Sequence, residues 1–177
     1  KEEMIEIIRA NGVVGLGGSG FPAYVKYQVE EPKEFVILNA VECEPYLTAD
    51  YFLLSEHLDQ VIRGLKYVMK IVGANKGVIA IKENKKTLIE KIRFAIAEEE
   101  NISLFLLEDV YPAGWEKYIV QRVTNRDYKH LPSEVGAVVN NVGTIHAVCR
   151  ALEENQPLVE KVVTITGEGI SDPRNVY

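Results

Sequence analysis

The chain has 177 residues, 47% of them apolar and 26% charged, with a formal net charge of −6. That length holds one domain with a real core, or one domain plus a fragment, and the composition is that of an ordinary globular protein. The acidic balance argues against nonspecific nucleic-acid binding, which needs a basic surface, and no apolar run approaches the ~20 residues that cross a bilayer. Cys43 and Cys149 stand far apart with no C-x-x-C, so there is no recognisable zinc site or iron–sulfur ligand run, and no metal is expected. A reducing, cytosolic setting is the default, with a disulfide between the two left open. No signal peptide is visible, and the chain is open to being part of something longer.

In chain order, Lys1 to Asn11 reads as an amphipathic helix with Met4, Ile5, Ile7 and Ile8 on its apolar face. Only Gly12-Val13-Val14 separates it from Gly15-Leu-Gly-Gly-Ser-Gly-Phe-Pro22. Gly15, Gly17, Gly18 and Gly20 are four glycines in six residues. Such a run is costly, because each glycine loses backbone entropy on folding and adds nothing to a core. What it offers is bare N–H groups that a phosphate can approach. Pro22 fits the first position of a helix running on through Lys26. Gly15, Gly17 and Gly20 satisfy G-x-G-x-x-G, but the dinucleotide fingerprint needs a full strand before the first glycine, and there is no room for one. The residues alone leave phosphate binding and a plain chain reversal open.

After the polar stretch Glu30–Glu34, Phe35-Val-Ile-Leu38 has the pattern of a strand buried on both faces. It runs into Asn39-Ala-Val-Glu-Cys-Glu-Pro45. Ligands of open α/β sheets sit beyond the carboxyl ends of strands, which favours a ligand role for Asn39, Glu42 and Glu44 over loop polarity or helix capping. Residues two apart on an extended segment point the same way, so both acids are expected to face one cleft with Cys43 turned into the core. A long helix is predicted over Ala49–Val72, stopped by Gly73, with His57 as a satisfied core or boundary residue. Gly77–Ile81 reads as a second strand. Lys85–Glu100 reads as a second helix, with Leu88, Ile89, Ile92, Phe94, Ala95 and Ile96 as its apolar residues. Ile102–Leu107 reads as a third strand. Tyr111–Lys117 is a turn opening a helix to about Val123, and Thr124–Glu134 is irregular. Val135–Val139 reads as a short strand. Asn140-Asn-Val-Gly-Thr144 then opens a helix to about Glu154, on which Cys149 packs and His146 lies at the surface. Past Pro157, Val162–Thr166 alternates like a strand with one wet face and no partner in the preceding pattern. Strands alternating with helices predict an α/β fold with a mainly parallel sheet and right-handed crossovers.

The polar clusters converge on one chemistry. Glycines with Lys26 suit a phosphate, and Asn140 with Asn141 suits the edge of a planar heterocycle, since an amide both donates and accepts. Gly114–Glu116 joins them. Gly15–Pro22, Asn39-Ala-Val-Glu-Cys-Glu-Pro-Tyr-Leu-Thr-Ala-Asp50, Tyr111-Pro-Ala-Gly-Trp-Glu-Lys117 and Val139-Asn-Asn-Val-Gly-Thr144 together resemble the C subunit of the Rnf electron-transport complex. They are as similar to a clostridial relative that serves proline reductase. More distantly, they resemble the flavin-bearing NADH-oxidising subunit of respiratory complex I.

The resemblance implies a Rossmann-like domain over residues 1–158 that binds FMN and receives hydride from NADH. It also implies the first strand of a truncated soluble-ligand-binding β-grasp domain over 159–177. By the same likeness, Gly15, Gly17, Gly18, Gly20, Lys26, Asn39, Glu42, Gly114, Asn140, Asn141 and Thr144 hold FMN, while Phe21, Glu44 and Glu116 meet the nicotinamide nucleotide. The flavin carries the chemistry, and no side chain is an obligatory acid or base. 4Fe-4S clusters are expected only in a full-length protein. Partners would be the other subunits of a membrane-associated complex, or a partner reductase, with a cytoplasmic location on the inner face of the membrane. The complex I motif differs in having an arginine at Leu16, an acid at Val41, a glutamate at Trp115 and an adenine-clamping aromatic at Val29. Two rival readings stand beside this one. One is a flavin-free docking or quinone-binding module; the other is a flavin module feeding a reductase such as proline reductase.

Overall fold

The apolar runs of the sequence become the strands of one parallel sheet. The computed structural model describes residues 1–177 and contains β1 (Phe35–Ala40), β2 (Lys76–Lys82), β3 (Ile102–Leu107) and β4 (Ala137–Asn141). Their order is β3-β2-β1-β4, all parallel. The chain moves outward from β1 through β2 to β3, then returns to the far side of β1 as β4. Strand order therefore reverses between β1 and β4, and the region beyond their carboxyl ends is the usual ligand position of such sheets. Register puts Asn39 beside Asn141 at that point.

The helices are α1 (Glu2–Ala10), α2 (Ala23–Tyr27), α3 (Ala49–Glu56), α4 (Leu58–Val72), α5 (Lys86–Ala95), α6 (Glu116–Thr124) and α7 (Val142–Glu154), with a short 3-10 turn at Pro132–Val135. Alternation along β1 divides the core in two. Val36 and Leu38 meet α1, α4 and α7 through Ile8, Leu65 and Val148; Phe35 and Ile37 meet α6 through Ile119 and Val120. Each such side chain contributes about 1.5–3 kcal/mol by leaving water.

Several local expectations change. The predicted long helix breaks at His57, whose φ is −128°. The apolar stripe continues across the break because α3 and α4 pack on the same side of the sheet, which is why periodicity alone misses it. α5 ends at Ala95, and its buried stripe is Leu88, Ile89 and Ile92; Phe94 falls on the opposite face and is 87% exposed. His146 is buried rather than at the surface. Its ring stacks on His57 with centroids 4.9 Å apart, and its Nε2 lies 3.0 Å from Gln60 Oε1. Both cysteines are free thiols, and burial pushes the Cys149 thiol up to about 11. The C-terminal strand β5 (Val163–Ile165) does have a partner, the antiparallel β6 (Arg174–Val176). This hairpin forms its own sheet and rests on α3, where Thr48 N–H donates to Thr164 Oγ1 at 3.1 Å and Tyr177 meets Phe52 edge-on. Tyr177 Oη also lies 3.1 Å from His57 Nε2.

The histidine pair predicts an acid weakness. Burial, reinforced by the His57 and Arg150 charges, pulls His146 down to about 4, below the ordinary ~6.5 of an unfolded histidine. Between those values the unfolded chain binds the extra proton and the folded one does not, so the stabilisation present above about pH 6.5 is lost as pH falls toward 4. Urea melts at pH 7 and pH 5 are expected to show a larger acid loss for the wild-type chain than for His146→Gln. Equal losses would remove His146 as the cause.

Candidate flavin site

The glycine loop is a closed hairpin-like turn. Val14 and Pro22 form an antiparallel bridge, Gly15 N–H donates to Phe21 O at 2.8 Å, and Gly20 N–H donates to Gly15 O at 3.1 Å. Gly18 has φ +108° with open space where a Cβ would stand. That backbone conformation is open to glycine at little cost. Pro22 stands at the cap position just before α2 rather than inside it, and α2 has only five residues. So short a helix adds little dipole, and an anion here would rely on loop N–H groups and on Lys26.

The floor of the loop is the β4–α7 junction. Leu16 N–H donates to Thr144 Oγ1 at 2.9 Å. A Cβ on Gly17 would lie 3.1 Å from Asn141 Cβ, so a side chain here would push the loop off Asn141 by a few tenths of an ångström. Asn141 caps α7 by accepting Gly143 N–H at 2.9 Å. Asn140 is buried, and its Oδ1 accepts the Tyr27 hydroxyl at 2.9 Å. Its Nδ2 is the one buried side-chain nitrogen or oxygen without a partner. A buried donor left unsatisfied costs about 1–3 kcal/mol, so this amide is a site in want of an acceptor.

Lys26 projects from α2 to the outer edge of β4, where Nζ donates to Val139 O at 2.9 Å. Burial pulls its pKa below the ordinary lysine value, and the Glu116 carboxylate pushes back. Phe21, Lys26 and Glu116 line a cavity of about 750 Å³ along this edge, together with Ser19, Val29 and Leu131. On the β1 side, Asn39 Nδ2 donates to Gly114 O at 3.0 Å, and Asn39 Oδ1 accepts Val41 N–H at 3.0 Å.

The two acids part company. Glu42 accepts Asp50 N–H at 2.9 Å and Tyr51 N–H at 3.4 Å, so it caps α3. Burial nevertheless raises its pKa. Glu44 lies exposed on a turn whose Tyr46 has φ 67°, outside the lining of the Lys26 cavity. The chain leaves β1 at Ala40, so the two-residue alternation expected of an extended segment does not carry through Glu42 and Glu44, and neither acid lines the Lys26 cavity. Cys43 is half-buried, with its Sγ near Gly114.

Asp50 is the neighbour that the sequence did not single out. Its Oδ2 accepts Asn141 Nδ2 at 2.7 Å. Burial and the adjacent Glu42 charge push its carboxyl up to about 7. It belongs to the Asn39–Asp50 motif, but its partner is 91 positions away, and only the folded chain brings them together.

An open parallel sheet with a glycine loop seated on its switch point, a half-buried lysine and an unpartnered amide define an α/β nucleotide-binding domain. The family model described as the Nuo51 FMN-binding domain matches residues 8–150, and the chain belongs to that family. It is 41% identical, over 99% of its length, to the C subunit of the proton-translocating ferredoxin:NAD(+) oxidoreductase complex of Clostridium ljungdahlii (strain ATCC 55383 / DSM 13528 / PETC), of which it spans 39%. The likeness to the Rnf C subunit read from the motifs thus holds over nearly the whole chain. Two solved structures share the fold. NAD+-reducing [NiFe]-hydrogenase in the H2-reduced state matches with a TM-score of 0.74 and 24% identity, over 85% of this chain and 30% of that one. The air-oxidised state matches with a TM-score of 0.73 and 26% identity, over 86% and 30%. No helix is long and apolar enough to cross a membrane.

Proposed function

We propose that this chain is the FMN-binding part of an electron-transfer subunit, accepting hydride from NADH and delivering electrons to iron–sulfur centres elsewhere in a longer protein. The observation that carries the reading is the unpartnered Asn140 Nδ2 on β4, one residue before the Asn141 that lies under Gly17 of the loop. A flavin ring edge offers the acceptor it lacks. The rest of the donor set fits the same ligand. Gly18 and Gly20 present backbone to open space, Lys26 supplies the cation for a phosphate, and Asn141 and Thr144 support the loop beneath it. Asn39 and Gly114 fix the β1 side of the site. Glu42 contributes through α3, which it caps.

When bound, FMN couples a two-electron hydride donor to one-electron acceptors. The chain's own residues bind and orient it. On the nucleotide side Phe21 and Glu116 line the cavity beside Lys26; Phe21 offers a stacking face and Glu116 a carboxylate that suits ribose hydroxyls and repels a 2′-phosphate. Glu44 takes an outer role at most. Residues 1–158 make up the flavin domain, and the β5–β6 hairpin begins a β-grasp domain. The 4Fe-4S clusters and the docking surfaces for partner subunits at the inner face of the membrane belong to the rest of such a protein.

The test is uptake of FMN by the purified chain, followed by anaerobic bleaching with NADH and with NADPH. Yellow protein bleached faster by NADH, with that preference reduced in Glu116→Gln, supports the proposal. Flavin that binds but does not bleach points to another donor, as in a module feeding a reductase. A chain that stays colourless in excess FMN would overturn the flavin reading and leave a docking or quinone-binding module.

A further inference from the structure

Glu42, Asp50 and Asn141 form a relay from the start of α3 to the glycine loop. Glu42 caps α3 at the Asp50 N–H, and the Asp50 carboxylate accepts Asn141 Nδ2 at 2.7 Å. The other end of the Asn141 amide accepts Gly143 N–H at 2.9 Å. Both ends are thus committed, and the side chain has one orientation. That side chain lies directly under Gly17: its Cβ, Cγ and Nδ2 are 3.1, 3.6 and 3.8 Å from where a Gly17 Cβ would stand. One residue earlier, Leu16 N–H is tied to Thr144 on the same turn of α7, and Leu16 Cδ1 lies 3.3 Å from where a Gly143 Cβ would stand.

We infer that Asp50 is a positioning residue for the glycine loop: through Asn141 it sets the height and rigidity of the loop floor without touching the ligand. The chemistry requires an acceptor at Asp50. An asparagine there replaces one acceptor oxygen with an amide NH2, and an alanine frees one end of Asn141. The pair is also reversible, because aspartate is as good an α7 cap as asparagine and can accept from an amide at position 50.

This inference rests on the flavin reading for its purpose but has a test of its own. Amide hydrogen exchange in the ligand-free chain is expected to be about tenfold faster at Leu16 and Gly17 in Asp50→Ala, with the β1–β2 amides unchanged. The double variant Asp50→Asn/Asn141→Asp is expected to recover most of that protection, while Asn141→Asp alone, which sets a third carboxylate beside Asp50 and Glu42, loses it. FMN affinity is expected to follow the exchange, falling about tenfold in Asp50→Ala. Loop exchange equal to wild type in Asp50→Ala, or no recovery in the double variant, overturns the assignment whether or not FMN binds. A wild-type chain that takes up no FMN overturns the flavin reading, and the exchange comparison still decides the role of Asp50.

Discussion

Gly114→Val is expected to lose most of its FMN affinity and roughly 1–3 kcal/mol of stability, the range of a core clash. A Cβ at this position would fall on the Val41 carbonyl oxygen and lie 2.8 Å from Cys43 Sγ. The oxygen is backbone and cannot swing aside, so the 109–115 loop must lift away from the end of β1. Lifting it breaks the 3.0 Å bond from Asn39 Nδ2 to Gly114 O and frees an amide at the switch point. The control is Gly18→Ala. Its φ of +108° makes any side chain strained, yet nothing lies within 4 Å of the new Cβ, so about 1 kcal/mol of backbone strain is the expected cost. Thermal melts and FMN titrations of both variants separate the two effects. A Gly114→Val chain that melts like wild type and binds FMN normally would mean that the loop yields without cost and that its contact with β1 is not part of the site.

Lys26→Met is expected to reduce FMN affinity about ten- to a hundredfold while leaving the fold intact. Methionine keeps the unbranched stem and packs adaptably, so the change removes the cation and its bond to Val139 O but little volume. A charge-assisted hydrogen bond to a phosphate is worth about 1.5–3 kcal/mol, and about 1.4 kcal/mol is a factor of ten. The salt dependence of binding should also weaken, because one charge of the interaction has gone. Stability is expected to move the other way. Burial is the main influence on Lys26 and lowers its pKa, so keeping it charged in the fold has a cost that Met does not carry. In the window below the ordinary lysine value the unfolded chain holds the proton more tightly. The stability advantage of the variant is therefore greatest at neutral pH and shrinks as pH rises toward about 10.4. FMN titrations at two salt concentrations and melts from pH 7 to 10 test this. An unchanged FMN affinity would show that Lys26 serves the β4 edge alone.

Much of the architecture was legible because it rests on local chemistry. Unbroken apolar runs such as Phe35–Leu38 and Val78–Ile81 mark central strands of a parallel sheet, since burial on both faces tolerates them. The glycines of the loop were legible for the opposite reason, as residues that a chain does not spend without a backbone need. Where two periodicities agree by accident, sequence misleads. α3 and α4 share a stripe and read as one helix, although His57 leaves the helical conformation between them. Phe94 looks apolar and therefore buried, but the face of a helix that meets the sheet is chosen by the whole stripe, not by one residue.

The residue types of the site can be read from the chain without coordinates: bare glycine backbone, one lysine, a pair of asparagines, acids after a buried strand. Those types follow from what a phosphate and a heterocycle require. How the side chains are used emerges with folding. Glu42 turns onto the first amides of α3, Glu44 stays on an exposed turn, and Asn140 Nδ2 is left without a partner. Asp50 meets Asn141 across 91 positions. A hydrogen bond depends on a few tenths of an ångström and on angle, and both are set by packing among elements far apart in the chain.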